Sequence, residues 1–140
     1  MSKTFLYQLF KIGQIPKNYL SQIQREGVVL KDEGIGGSVT YRNFRAPGRY
    51  HGWKRSWFTG SIVLTREHFL AFKYSETIIG LAWNESHINQ LNCSLDNENT
   101  LAVSFDASVF QKDCSGQITV RFSTLLAREI LENIQRLISV

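Results

Sequence analysis

The clearest pattern of apolar and polar positions lies near the end of the chain. Residues 117–122 alternate between the two classes, which predicts a strand with one buried face. Beyond this strand the apolar residues recur at steps of three and four, at Leu126, Ala127, Ile130, Leu131, Ile134, Leu137 and Ile138. That spacing predicts an amphipathic helix over residues 124–138, with Ser123 or Thr124 supplying the N-cap oxygen. An antiparallel sheet closed by one terminal helix is therefore the expected plan.

Strand patterns fill most of the chain before that point. A first strand is predicted to begin at residues 28–30, to resume at residues 38–45 and to turn at residues 46–48. Between its two parts lies the glycine-rich stretch 32–37, which favours a bend or bulge over a phosphate-binding loop because no Lys-Ser/Thr pair and no helix follow it. Further strands are predicted at residues 60–65, 69–74, 77–83, 87–95 and 100–106. With residues 117–122 this makes about seven strands, enough for a single sheet or barrel.

Two short helices are predicted ahead of the sheet. The first covers residues 4–12, and the second opens at Pro16 and ends before Gly27. The apolar face of the second helix is predicted to consist of Tyr19, Leu20 and Ile23. Residues 1–27 are accordingly expected to form a helical segment that packs on a domain of residues 28–140.

Composition fits one soluble domain. The chain has 140 residues, of which 43% are hydrophobic and 20% charged, and its longest apolar runs are too short to span a membrane. No signal-peptide pattern is present at the start, and the two cysteines fit no metal-binding spacing, so a cytoplasmic location is expected.

Cys93 is predicted to be buried, Cys114 to be more accessible in a loop over residues 107–116, and the two to be unpaired. Val109 and Phe110 of that loop are expected to point inward.

The order of these segments resembles the pleckstrin-homology-like superfamily, and most closely its GRAM and bacterial members. The residues that carry the resemblance are 26–30 at the start of the sheet, the hairpin 60–65 and 69–72, then 99–105, 115–118 and the terminal helix. Residues 53–58, Trp-Lys-Arg-Ser-Trp-Phe, are also similar to the Trp-Lys-basic run of eukaryotic members. The resemblance implies a seven-stranded antiparallel sheet or barrel capped by a C-terminal amphipathic helix. Members usually carry a Trp in that helix and residues 124–138 contain none, so their ligand specificity is not carried over.

Charge is distributed unevenly along the sequence. The formal net charge is +4, yet no acidic residue occurs between Glu33 and Glu67. That stretch carries the candidate anion-binding residues Arg42, Arg45, Arg49, Lys54 and Arg55. Aromatic residues are interleaved with these charges, as in surfaces that bind phosphates or acidic headgroups. The competing interpretation places the aromatic rings inward with the Arg stems lying over them.

Candidate catalytic residues are few. The three histidines, His51, His68 and His87, are far apart in the sequence, and Cys93 with His87 is the one conceivable nucleophile–base pair. Cys93 lies in an apolar pattern, which is more typical of a small core residue. No nucleophile elbow, P-loop or paired-cysteine metal site is present, so neither an enzyme nor a cofactor is expected.

The sequence therefore predicts a non-enzymatic binding or scaffolding module that mediates protein interaction. Its partner would be another protein or a second copy, engaged through a groove beside the terminal helix or an open sheet edge. The alternative is weak binding of anionic ligands, such as an acidic membrane surface, through residues 42–55. Nucleic acid is not the expected partner. The third hypothesis for the function is a small enzyme.

Overall fold

The computed structural model describes residues 15–138, which form a mainly β fold with one helix at each end. Seven strands make a single antiparallel sheet, and its order β4-β3-β2-β1-β7-β6-β5 leaves β4 and β5 as the outer strands. The elements in chain order are α1 (Lys17–Glu26), β1 (Val28–Ala46), β2 (Arg49–Thr65), β3 (His68–Lys73), β4 (Glu76–Ala82), β5 (Asn92–Asn97), β6 (Thr100–Asp106), β7 (Ser115–Ser123) and α2 (Ala127–Ile138). The predicted antiparallel sheet with a terminal helix is confirmed. In the described part of the chain the outer strands do not pair with each other, so the sheet is open rather than a closed barrel.

The glycine-rich stretch is a bulge within one continuous strand, as predicted. β1 runs without interruption through residues 32–37, and its register against β2 shifts between Glu33 and Ile35. Gly34 at that point has φ 67°, in the left-handed region that glycine adopts without steric cost. The bulge allows β1 to bend and to pair with β2 along its length and with β7 over its second half.

The strand after the first turn is much longer than predicted. β2 begins at Arg49, directly after the turn at Pro47 and Gly48, whereas the sequence pattern placed its start at Gly60. Residues 49–57 lie beyond the part of β2 that packs on the core, so exposed side chains point to both faces and no apolar period arises. The hairpin between β2 and β3, by contrast, lies where it was predicted.

The prediction of a strand over residues 87–95 is wrong in its first half. Residues Ser86–Gln90 form a short 3₁₀ helix, and β5 begins only at Asn92. Ile88 and Leu91 both point into the core at a spacing of three, which a 3₁₀ turn produces and a strand does not. Phe110 also departs from prediction: Val109 is buried, but Phe110 is 39% exposed and packs edge-on against Phe105 at the rim.

The main core lies between α2 and the face of the sheet that α2 covers, which we call the concave side. Alternate residues of the strands, such as Ile62, Leu64 and Phe69, join Ile130 and Ile134 of α2 in one buried cluster. Thr124 provides the helix cap, because its Oγ1 accepts a hydrogen bond from the Leu126 N–H and donates one to the Asp32 carboxylate. The helix itself begins at Ala127, three residues later than predicted.

Helix α1 covers part of the opposite face of the sheet. Its Ile23 and Tyr19 pack with Val63, Leu70 and Phe72, whose strand neighbours belong to the main core, so β2 and β3 are buried on both sides. Leu20, predicted on this apolar face, is 48% exposed and points away. Gly27 ends the helix with φ 85° and donates its N–H to the Ile23 carbonyl. The predicted helix at residues 4–12 lies outside the described residues.

The two cysteines are unpaired, as predicted, but their relative accessibility was predicted wrongly. Cys114 is buried, because it packs with Phe44 and Ala107 and its Sγ donates to Gln111 Oε1, whereas Cys93 on the outer strand β5 is half-buried. Burial raises the pKa of the Cys93 thiol to about 12. Burial and the neighbouring Asp113 charge also raise the pKa of Cys114.

Both thiols are therefore expected to react slowly in the folded protein. The thiolate is the reactive form, and raised pKa values leave little of it at pH 8. Iodoacetamide should alkylate Cys93 and Cys114 only after denaturation, as measured by intact-mass and peptide mass spectrometry. A mass two hydrogens lower than the reduced protein, or rapid alkylation of Cys93 under native conditions, would contradict this expectation.

Candidate functional site

Strand pairing separates the five predicted basic residues. Thr40 lies opposite Arg55 and Arg42 opposite Trp53, so Arg42 and Arg55 point to the same face of the sheet. This is also the face that α1 covers farther along β2, and we call its uncovered part the outer face. Lys54 lies opposite Tyr41, whose ring belongs to the concave side, so Lys54 points the other way.

Arg45 and Arg49 occupy a third position, near the turn that joins β1 and β2. The Arg45 guanidinium lies 4.9 Å from the centre of the exposed Tyr50 ring. Arg49 borders a cavity of about 520 Å³ at the end of the concave side, beside Phe44 and Cys114. All five basic residues are exposed, but the fold distributes them over different surfaces.

The outer face carries an alternating ladder of aromatic and basic side chains along β2. The Arg55 guanidinium lies between two indole rings, 5.4 Å from the centre of Trp53 and 5.8 Å from that of Trp57. Trp53 is 59% exposed and Trp57 is 70% exposed. The sequence left open whether the aromatic rings of this stretch point inward. Phe44 does point inward, but Trp53 and Trp57 do not. Exposed indoles beside a guanidinium are a common composition of binding surfaces.

A second arginine, which sequence reasoning did not single out, joins this ladder from β7. Arg121 Nη1 donates to Thr40 Oγ1 at 3.4 Å, and Arg55 Nε donates to the same oxygen at 3.0 Å. Arg121 Nε also forms an ion pair with Asp96 at 2.6 Å. A cavity of about 540 Å³, the outer cavity, lies over these groups. Its walls include Ser38, Arg55, Trp57, Asp96, Asn97, Thr100, Arg121 and Ser123.

One edge of β2 is open along the same region. β3 pairs only with residues 60–64 of β2, and within residues 15–138 no strand pairs with the far side of residues 49–58. The backbone N–H of Tyr74 donates to the Thr59 carbonyl, and its hydroxyl donates to the Trp57 carbonyl at 3.5 Å. These carbonyls point away from β1, and alternate residues of a strand point their backbone groups the same way. The N–H and C=O groups of Arg55, Trp53 and His51 therefore face outward. We call residues 49–58 the open edge.

A buried carboxylate holds α1 to the turn between β2 and β3. The Glu26 side chain is 3% exposed, and it accepts hydrogen bonds from the Thr65 hydroxyl, from His68 Nδ1 at 2.9 Å and from the Gln22 amide. Burial opposes the charged form, but these hydrogen bonds and the neighbouring His68 outweigh it and lower the pKa of Glu26. Glu26, Glu67 and His68 present ligand atoms within 4.8 Å of one another. Because Glu26 already accepts three donors, this corner is best explained as a structural clamp.

No model of a known protein family matches the chain, and no curated protein matches its sequence. Among the described residues, none of the helices has the length and apolar character needed to cross a membrane.

Proposed function

We propose that this protein is a non-enzymatic binding module of the pleckstrin-homology-like type, and that it binds an extended segment of a partner protein. The seven-stranded antiparallel sheet with a C-terminal helix supports that type. The high pKa of Cys93 disfavours the one nucleophile that the sequence suggested.

The open edge carries this proposal. An edge strand with outward N–H and C=O groups can accept a further strand, and this is a recurring mode of peptide recognition. The edge is about ten residues long, because it spans residues 49–58, which is longer than the segment β3 occupies. Exposed Trp53 and Trp57 flank it on the outer face and can pack against side chains of the added strand.

Charge identifies the kind of segment that fits. Arg49, Lys54 and Arg55 lie on the open edge, and no acidic residue occurs between Glu33 and Glu67. An acidic strand would meet complementary charges, whereas pairing of two such edges from two copies would bring like charges together. The partner is therefore an acidic extended segment of another protein.

The test uses a ten-residue peptide that alternates glutamate with valine, titrated into the ¹⁵N-labelled protein. Binding should shift the amide signals of His51, Trp53 and Arg55 and slow their hydrogen exchange, while the amides of Gly52 and Lys54, which face β1, change little. Two further peptides carry backbone N-methyl groups on every second residue, in opposite phases. Only the phase that removes the N–H groups facing β2 should abolish binding.

Lys54→Glu should weaken binding of the unmodified peptide about fivefold, since one exposed charge pair contributes about 1 kcal/mol at most. Arg128→Glu makes the same charge change on the exposed side of α2 and should leave binding unchanged. Equal binding of both N-methylated peptides, or shifts confined to residues away from the open edge, would refute the proposal.

A further inference from the structure

The outer cavity brings Arg121, which strand addition does not use, next to Arg55 of the open edge. Arg55 and Arg121 both donate to Thr40 Oγ1, a hydroxyl on a residue only 2% exposed. Two positive charges are thus held at one neutral acceptor. Among the described residues that line the cavity, Asp96 is the one carboxylate. The groups that line the cavity therefore carry a net positive charge.

Arg55 and Arg121 both line this cavity, and each has guanidinium N–H donors beyond those in its described hydrogen bonds. A guanidinium has five N–H donors in a fixed plane. The described contacts use only Nε of Arg55, and Nε and Nη1 of Arg121. Asn97, Thr100 and Ser123 add polar side chains to the same walls. Converging guanidinium groups with free donors are suited to an oxyanion, and above all to phosphate, which can meet both at once.

An aromatic surface lies next to these donors. Trp57 is 70% exposed and forms part of the cavity wall on β2. An indole placed this way can stack on a planar ring, and such stacking tolerates many rings. A volume of about 540 Å³ falls in the range of sites for small organic ligands.

We propose that the outer cavity binds an aromatic phosphate monoester of the nucleoside monophosphate class. The phosphate lies between Arg55 and Arg121, and the base stacks on Trp57. The ligand is a single nucleotide rather than a strand, because Asp96 at the end of β5 also lines the cavity and its negative charge would repel further phosphates. The site shares Arg55 and Trp57 with the open edge, but it also requires Arg121, which lies on β7, two strands away from that edge.

The experiment titrates adenosine 5′-monophosphate, adenosine, ribose 5-phosphate and inorganic phosphate, followed by tryptophan fluorescence and by amide shifts. The monophosphate should bind at least tenfold more tightly than the other three. Arg121→Gln should weaken binding of the monophosphate at least tenfold, whereas Arg128→Gln, the matched change on α2, should leave that binding unchanged. Trp57→Ala, at a position that is 70% exposed, should weaken binding of the monophosphate about tenfold but leave binding of ribose 5-phosphate unchanged.

Absence of monophosphate binding at millimolar concentration would overturn the proposal, as would equal binding of inorganic phosphate. Tighter binding of a ten-nucleotide single strand, or of vesicles containing anionic phospholipid, would assign the cavity to nucleic acid or to a lipid headgroup instead. None of these results would alter the shifts that the glutamate–valine peptide causes at His51 and Trp53, so the two proposals fail separately.

Discussion

Replacing Ile134 by alanine is expected to lower the free energy of unfolding by about 2–5 kcal/mol. Ile134 is 1% exposed and belongs to the main core, where α2 packs on the concave side of the sheet. The substitution removes buried methyl groups and leaves a space that the closely packed strands cannot fill. Urea unfolding followed by circular dichroism measures the loss, which should also lower the melting temperature by several degrees.

Leu125→Ala serves as the matched control for this prediction. Leu125 immediately precedes the same helix but is 58% exposed, so its truncation should change stability by no more than about 0.5 kcal/mol. If Ile134→Ala melted within about a degree of the parent protein, α2 would not be packed on the sheet as described.

Replacing Glu26 by alanine is expected to lower the free energy of unfolding by about 3 kcal/mol. The carboxylate is the shared acceptor for Thr65, His68 and Gln22, and its removal leaves the hydroxyl of Thr65, itself a fully buried residue, without that acceptor. It also removes the link between α1 and the β2–β3 turn. Glu85→Ala provides a comparison, because Glu85 is an exposed acid whose described contact is one hydrogen bond from a backbone N–H. This substitution should lower the free energy of unfolding much less than Glu26→Ala does.

The contribution of Glu26 should depend on pH in a defined direction. Its pKa is lowered in the folded protein, so the folded state favours the ionised form more than the unfolded state does. The resulting stability is fully present above the unfolded pKa of about 4.3 and is lost as pH falls through the lower folded value.

Glu26→Gln isolates this effect, because glutamine does not titrate. The stability difference between the parent protein and Glu26→Gln should be smaller at pH 3 than at pH 5, because Glu26 is protonated at the lower pH. Urea midpoints at a series of pH values measure it. An equal stability difference at pH 5 and at pH 3 would show that Glu26 is not ionised in the clamp.

Elements with a clear period could be predicted from the sequence, and those without one could not. β6, β7 and α2 each place one face in the core, so their apolar residues recur at the period of a strand or a helix. The first half of β2 has no core face: Trp53, Arg55 and Trp57 point outward, and Lys54 on the other side is also exposed. Its strand is defined by pairing with β1, which the local pattern does not reveal.

The residues of the candidate surfaces likewise include some that the sequence pattern indicated and one that it did not. Arg42 and Arg55 belong to a stretch that lacks acidic residues, and that feature marked them in the sequence. Arg121 could be placed on the polar side of its strand, but nothing local indicated that it would meet Thr40, which lies 81 positions away. The register of β1 against β2 and its register against β7 together bring the two arginines to Thr40, and register depends on the whole sheet.

The central position of β1 has a consequence for how the chain folds as it is made. Strands β1 to β4 can pair in order as they leave the ribosome, because each neighbours the next along the chain. Their concave side, with Ile62, Leu64 and Phe69, shares its core with α2, which is synthesised last of the described elements. The nascent chain must therefore carry an uncovered apolar surface while β5, β6 and β7 are translated, and we expect it to be a client of ribosome-associated chaperones during that interval.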